Sequence, residues 1–282
     1  MKKNRKDRFD VNNRPRRVSE RNDLYQVLSS LKQNRKKRNE LGELFVEGIE
    51  AIKQALASSR VRPKKLLFAE YEGLSDWARD LVGRGVFEES VSLERELYEE
   101  LADRAEPSEI MATFGYDRFA LADIALPPKP FIVVFDRPSD MGNLGSLIRS
   151  ANAFGVDLFI THGHCVDLFE PKVIRSSLGA IFHTPVAHVE SFDELSLFLG
   201  ELKKKQGLVV AGTDSQGAEA LGSSPLAPPV ALILGNEAKG MSVRLKEMTD
   251  EVFKIPLDGE VNSLNVACAG SIFFYAIASA RT

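Results

Sequence analysis

From Phe131 to Ala280 the chain alternates short, largely unbroken apolar runs with stretches in which apolar residues recur every third or fourth position. Unbroken runs of four to six residues are the pattern of strands buried on both faces, and the 3.6-residue period marks helices with one apolar face. The pattern predicts strands at Phe131–Phe135, Leu158–Thr161, Thr184–Val189, Leu208–Gly212, Val230–Leu234 and Val252–Ile255. Helices are predicted at Leu144–Ala153, Lys172–Leu178, Phe192–Lys205, Ser242–Met248 and Leu264–Ala280. Such alternation calls for an α/β domain, spanning 131–282, with a mostly parallel sheet and helices on both faces. Ligands of such sheets bind beyond the carboxyl ends of the strands.

Upstream, a smaller α/β unit is predicted over 41–122. Its strands are expected at Leu44–Val46, Lys65–Ala69 and Ile110–Phe114, and its helices at Glu50–Ala57, Ser75–Leu81 and Val91–Leu101. Three prolines within Ala125–Pro130 forbid a helix or central strand there, so 123–130 reads as a linker.

Net charge is −3, but residues 1–40 carry 14 Lys/Arg against 5 Asp/Glu, which leaves 23 against 35 in the remainder. Clusters at Met1–Arg8 and Lys32–Arg38 are expected to form a flexible basic head suited to a polyanion, the alternative being a solvated tail that aids solubility. The uncharged run Val261–Ala280 approaches the length of a membrane span, but its asparagines and serines make a buried helix the better reading. Two cysteines, Cys165 and Cys268, are too few for a disulfide framework, so a reducing cytoplasm is expected.

Three strand-to-loop junctions carry more Gly, Asn and Ser than turns require. The first holds Gly142, Asn143, Gly145 and then Arg149, a cation in an otherwise apolar helical stretch. Glycines admit close backbone approach to a ligand and Asn143 suits a helix cap beside an anion, though a plain cap and a structural ion-pair arginine remain open. The second holds Gly235, Asn236, Glu237 and Gly240, and the third Ile255, Pro256, Leu257, Gly259, Ser263, Leu264 and Asn265. The dinucleotide and Walker glycine patterns are both missing, which argues against NAD or ATP. His162, His164, Cys165 and Asp167 lie in one loop without a second ligand pair, a poor arrangement for zinc.

Taken together, the junctions resemble the SpoU (TrmH-like) class of SPOUT methyltransferases. Its motifs N-x-G-x-x-x-R, G-x-E-x-x-G and I-P-x-x-G followed by S-L-N-V appear in order at Asn143/Gly145/Arg149, Gly235/Glu237/Gly240 and Ile255/Pro256/Gly259 with Ser263–Val266. Arg175–Ala180 and Gly212–Asp214 are similar to further signatures of the class. Leu44–Gly48 resembles the start of its small ribosomal-protein-like RNA-binding domain, whereas residues 106–110 depart from the Thr-Pro-Gln-Gly form expected there.

The resemblance implies methyl transfer from S-adenosylmethionine to a ribose 2′-hydroxyl of RNA, ribosomal RNA above transfer RNA, within a trefoil-knotted sheet. It further implies a homodimer built through the catalytic domain and its final helix. Asn143, Arg149, Glu237, Ser263 and Asn265 are then the expected catalytic group, with Arg149 as a phosphate clamp because a guanidinium stays protonated. Thr213, Gly235, Asn236, Glu237, Gly240, Ile255, Leu257, Ser263 and Leu264 are the expected cofactor contacts. A catalytically silent RNA-binding or ribosome-assembly factor of the same fold, and methylation of a base, are the alternatives.

Overall fold

The computed structural model describes residues 14–103, 106–117, 121, 124–224 and 226–281. The basic cluster Met1–Arg8 and the expected edge at 122–123 lie outside them. Chain contacts define two units: one comprises residues up to Asp117 with Phe169–Arg175, the other the remainder.

In the first unit the strands β1 (Arg16–Val18), β2 (Glu43–Glu47), β3 (Val61–Phe68), β4 (Glu89–Leu93) and β5 (Met111–Tyr116) form a sheet ordered β1-β4-β3-β5-β2. β5 runs antiparallel to β2 and β3, and the remaining pairs are parallel. Its helices are α1 (Asp23–Gln33), α2 (Arg35–Leu41), α3 (Ile49–Ala57), α4 (Asp76–Arg84) and α5 (Arg95–Leu101).

Over residues 16–40 this arrangement corrects the expectation of a flexible head; residues 1–13 of that expected head lie outside the described residues. From Arg16 onward the segment is built into the unit: β1 pairs with β4, and α1 puts Leu24, Tyr25, Leu28 and Leu31 into one core with Phe45, Leu67, Val91 and Met111. Those apolar residues recur every three to four positions, a helical face that the surrounding charge obscured. The cations are also largely matched. Arg16, Arg17, Arg21 and Lys32 pair with Glu89, Glu94, Glu100 and Asp103, while Arg38, 1% exposed, meets Glu170 at 2.5 Å and donates to the carbonyls of Leu31 and Lys32. A guanidinium taken so far out of water requires those partners.

A second correction concerns Val91–Leu101, read as one helix. Val91–Leu93 belong to β4, and the chain turns at Glu94 into α5. Helical spacing and strand alternation coincide over so few residues, and pairing with β3 decides the outcome.

The second unit contains β6 (Phe131–Asp136), α6 (Met141–Ala153), β7 (Leu158–His162), β8 (Val186–Val189), α8 (Phe192–Gln206), β9 (Val209–Thr213), β10 (Glu219–Ala220), β11 (Val230–Leu234), α9 (Val243–Glu247), β12 (Glu251–Lys254) and α10 (Val266–Ser279). A short helix, α7 (Pro171–Ser176), spans the division between the units. All seven strands are parallel, in the order β10-β12-β9-β11-β6-β7-β8. Ile132, Val134, Ala231 and Ile233 meet Leu195, Leu199 and Leu245 of α8 and α9 on one face. On the other, α10 lies along α6, with Phe131 edge-on to Phe274 and Ser150 Oγ 2.7 Å from Ser271 Oγ. Val261–Ala280 is thus a packed helix with a loop before it, and among the described residues no helix is long and apolar enough to cross a membrane.

If α1 is part of the core, Leu28→Ala removes a fully buried side chain and is expected to lower stability by about 3 kcal/mol. Urea denaturation followed by circular dichroism measures this, and a flexible head would give no change.

Candidate active site

Parallel pairing sets Leu234 opposite Phe135, so the loops leaving β6 and β11 start side by side. The first loop ends at Asp140, whose carboxylate accepts from Asn143 N at 2.7 Å and so caps α6. Asp140 therefore holds the capping role that the sequence suggested for Asn143. Gly142 and Gly145 lie inside α6, and Asn143 is left with its amide free to reach across the strand ends.

Glu237 is the meeting point. Its carboxylate accepts from Ser139 Oγ at 2.9 Å and, more weakly, from the Asn143 and Asn236 side chains at 3.4 Å. Asn143 in turn accepts from Asn265 Nδ2 at 2.9 Å, while Asn265 Oδ1 caps α10 by accepting from Ala267 N. One hydrogen-bond chain, Ser139–Glu237–Asn143–Asn265, thereby joins the segment after β6 to two others that lie 94 to 122 residues further along the chain. The cap also explains why α10 starts at Val266 and not at Leu264.

Beside this chain lies a cavity of about 820 Å³, within the range of small-ligand sites. Asn143, Thr213, Gly235, Asn236, Glu237, Gly240, Ile255, Leu257, Ser263, Leu264 and Asn265 all line it. Arg149 does not. It lies six residues past Asn143, roughly 9 Å along α6 and turned about 120° away. Its side chain is exposed and makes no ion pair or hydrogen bond among the described residues, so water supplies the partner that an apolar surrounding would have denied it.

The loop Gly235–Ser242 makes one wall. Asn236 and Gly240 exchange backbone bonds, and a Cβ on Gly235 would come within 2.4 Å of Met241 N, so only glycine permits the fold-back. Opposite are Phe253, Ile255, Leu257 and Phe273, an apolar wall. Thr213 Oγ1 is turned to the Ile233 carbonyl. Asp214, also lining, is held below the usual carboxylate range by donation from Gln216 N and by Lys246 at 3.0 Å.

Ser139 and Asp214 were not among the expected site residues. Ser139 stands in the first junction, but its register against Glu237 exists only after β6 and β11 pair. Two further cations are engaged within the protein: Arg137 is bound to Asp136 and to the Gly240 carbonyl, and Arg175 pairs with Asp103 and Glu47. Cys165 and His162 are engaged by His188 Nδ1 and the Val189 carbonyl, and no group of three or more metal-binding side chains occurs among the described residues.

Residues 130–275 match the SpoU rRNA Methylase family and residues 22–112 the SpoU L30e-like domain. The chain is 35% identical to a 23S rRNA (uridine(2479)-2′-O)-methyltransferase of Streptomyces viridochromogenes, covering 92% of this chain and 91% of that one. It is 30% identical to the 23S rRNA (guanosine(2553)-2′-O)-methyltransferase RlmP of Bacillus subtilis, over 86% and 90%. Among solved structures, the SpoU methyltransferase AviRb of S. viridochromogenes in complex with AdoMet superposes with a TM-score of 0.85 at 32% identity, over 92% of this chain and 98% of that one. An AdoMet-bound rRNA methyltransferase of Sinorhizobium meliloti gives 0.77 at 26%, over 93% and 96%.

Gly235→Ala is expected to open the fold-back, because the added methyl meets backbone that cannot rotate away. Amide exchange measured by mass spectrometry should accelerate over Asn236–Gly240 while β11 stays protected; unchanged protection of the loop would contradict this.

Proposed function

The chain belongs to the SpoU rRNA Methylase family, and from that membership we propose that it transfers a methyl group from S-adenosylmethionine to a ribose 2′-hydroxyl of ribosomal RNA. The observation that carries this reading is the hydrogen-bond chain through Glu237, Asn143 and Asn265 at the edge of the cavity. The cavity walls suit the cofactor. The apolar side accepts a flat purine, and the backbone and side-chain polar groups of Thr213, Asn236 and Ser263 border it where a ribose and an amino-acid tail need partners.

The bound cofactor would supply an electrophilic sulfonium methyl: O2′–CH₃ would form as S–CH₃ and O2′–H break, the neutral thioether leaving and the proton passing to an acceptor at the edge where the Glu237 carboxylate stands. A ribose hydroxyl is a weak nucleophile, so the protein's part is mainly positioning. Glu237 and Asn143 present acceptor and donor atoms on one edge, where they can hold the nucleotide and the 2′-hydroxyl proton. Arg149, exposed and unpaired among the described residues, is assigned to the RNA phosphate that brings the hydroxyl into line. Two relatives act, by name, on a uridine and a guanosine, so the shared chemistry addresses ribose and leaves base choice to RNA contacts.

The proposed partner of the second unit is a second copy. On α10, Ile272 (40% exposed) and Tyr275 (63%), three residues apart, form an exposed apolar strip beside small residues. Self-association buries such a strip. The trefoil knot belongs to the same reading, supported by the chain's return from β12, beyond β9, to α6. Among the described residues Cys165 and Cys268 form no disulfide, which fits a reducing, cytoplasmic setting.

Incubating the protein with ribosomal RNA and methyl-labelled cofactor, then digesting to nucleosides for mass spectrometry, is expected to yield a 2′-O-methylnucleoside; label on a base would overturn the proposal. Asn265→Ala and Glu237→Ala should each lower turnover at least tenfold with little change in melting temperature. Arg149→Ala should abolish transfer while calorimetric cofactor affinity stays within twofold. Tyr275→Glu is expected to convert a dimer to a monomer in light scattering, and a wild-type monomer would refute the proposed pairing.

A further inference from the structure

Arg137 has a left-handed backbone, with φ of 49°, directly after β6. For a residue with a side chain this costs about 1–2 kcal/mol, and such conformations persist only where the surroundings over-determine them. In an extended strand, neighbouring side chains point to opposite faces. Here the left-handed turn folds the guanidinium back over the preceding residue, so that Arg137 Nε and Nη2 grip both oxygens of Asp136 at 3.0 and 2.9 Å. Asp136 is fully buried, and this two-pronged contact supplies its countercharge.

The same dipeptide holds the cavity loop at three points. Arg137 Nη2 donates to the Gly240 carbonyl at 3.1 Å, Asp136 Oδ2 accepts from Ser242 N at 2.7 Å, and the Arg137 carbonyl accepts from Asn236 Nδ2 at 2.7 Å. Asn236 then orders the loop from within, its Oδ1 accepting from the amides of Ala238 and Lys239. Glu237 sits in this loop. Gly163, itself left-handed, leaves room for the arginine stem: a Cβ there would lie 3.0 Å from Arg137 Cγ.

Resting on the proposed use of S-adenosylmethionine, we infer that Arg137 is a positioning residue that holds the Gly235–Ser242 loop in the shape that receives the cofactor. Without it the loop loses its tie at the Gly240 carbonyl and keeps its internal Asn236 and Gly240 bonds, the Ser242 contact to Asp136, the Asn236 contact to the strand end and the Ser139 and Asn143 contacts to Glu237. The guanidinium therefore acts on cofactor affinity and not on the RNA surface for which its charge alone would suggest it.

The test uses the full chain and two variants. Arg137→Gly removes the guanidinium and, with it, the backbone cost, which offsets part of the penalty of leaving buried Asp136 without its countercharge; Arg137→Lys keeps that charge, and so guards the fold, but cannot span both carboxylate oxygens and the carbonyl. Calorimetric titration with S-adenosylmethionine and filter binding to ribosomal RNA are run on all three proteins. Cofactor Kd is expected to rise at least tenfold in Arg137→Gly and severalfold in Arg137→Lys, with RNA Kd within twofold, and amide exchange over Gly235–Ser242 should quicken. A merely structural residue would weaken both ligands or neither. Wild-type binding with either folded variant within twofold for the cofactor overturns the role of Arg137 alone. Absence of cofactor binding by the wild-type protein overturns both this inference and the function on which it rests.

Discussion

The parallel register of β6 against β11 is the constraint on which the site depends. With Phe131 opposite Val230 and Phe135 opposite Leu234, the next residues outward are Asp136 and Gly235, the first members of two loops that must touch. A slip of one residue would turn Ile132 and Val134 away from the α8–α9 layer and put Phe131, Val133 and Phe135 into it; both sets are apolar, so the register is held by the fit of side-chain volumes on two covered faces. The same slip would carry Asp136 away from Ser242 N and Ser139 away from Glu237. Burial of the sheet and assembly of the site are thus one requirement met by one set of residues.

The third loop is brought in by a different device. After β12 the chain must return to α6, and it can do so only if α10 lies close against it. Gly270 makes that possible: a Cβ there would meet Leu147 Cδ2 at 2.4 Å and Leu234 Cδ1 at 3.1 Å. The approach fixes where α10 begins, and therefore where Asn265 stands when it caps that helix with one atom and donates to Asn143 with another. At the far end Arg281 ties the helix down through the Gly155 carbonyl and Asp157. Close packing in the middle of a helix thereby sets hydrogen-bond geometry at its start.

Much of this architecture was legible in the residues. The inner strands β6 and β11 are unbroken apolar runs, and the loops beyond β6, β11 and β12 stood out by their glycines and amides, whereas the two-residue β10, Glu219–Ala220, carries no such run and was not foreseen. What escaped was information that exists only between elements. Asn143 looked like a cap because it precedes an apolar helix, yet Asp140, three residues earlier, takes that role, since the helix begins with glycine-containing turns that have no apolar face to read. Arg149 looked buried among Leu147, Ile148 and Ala151, but six residues of helix turn it away from the cavity that Asn143 lines. In the first unit, α1 and α2 were hidden by charge: α1 has an apolar face, but α2 buries only Arg38, every residue of Lys32–Arg38 is polar or basic, and the pairing acids lie far along the chain.

Burial divides that basic segment into two physical classes that a count of charges merges. Arg38 is enclosed and hydrogen-bonded to two carbonyls and a carboxylate, so exchanging its partner for a phosphate would leave Glu170 uncompensated. Arg16, Arg17 and Arg21 meet their acids in water, where solvent screening leaves each pair little net stability. A nucleic-acid phosphate can replace such a carboxylate at little cost, and the release of condensed counterions favours the exchange at low salt. A surface ion pair of this kind is no barrier to polyanion binding: it holds the cation in place until a stronger anion arrives, whereas the buried pair keeps its cation for the fold.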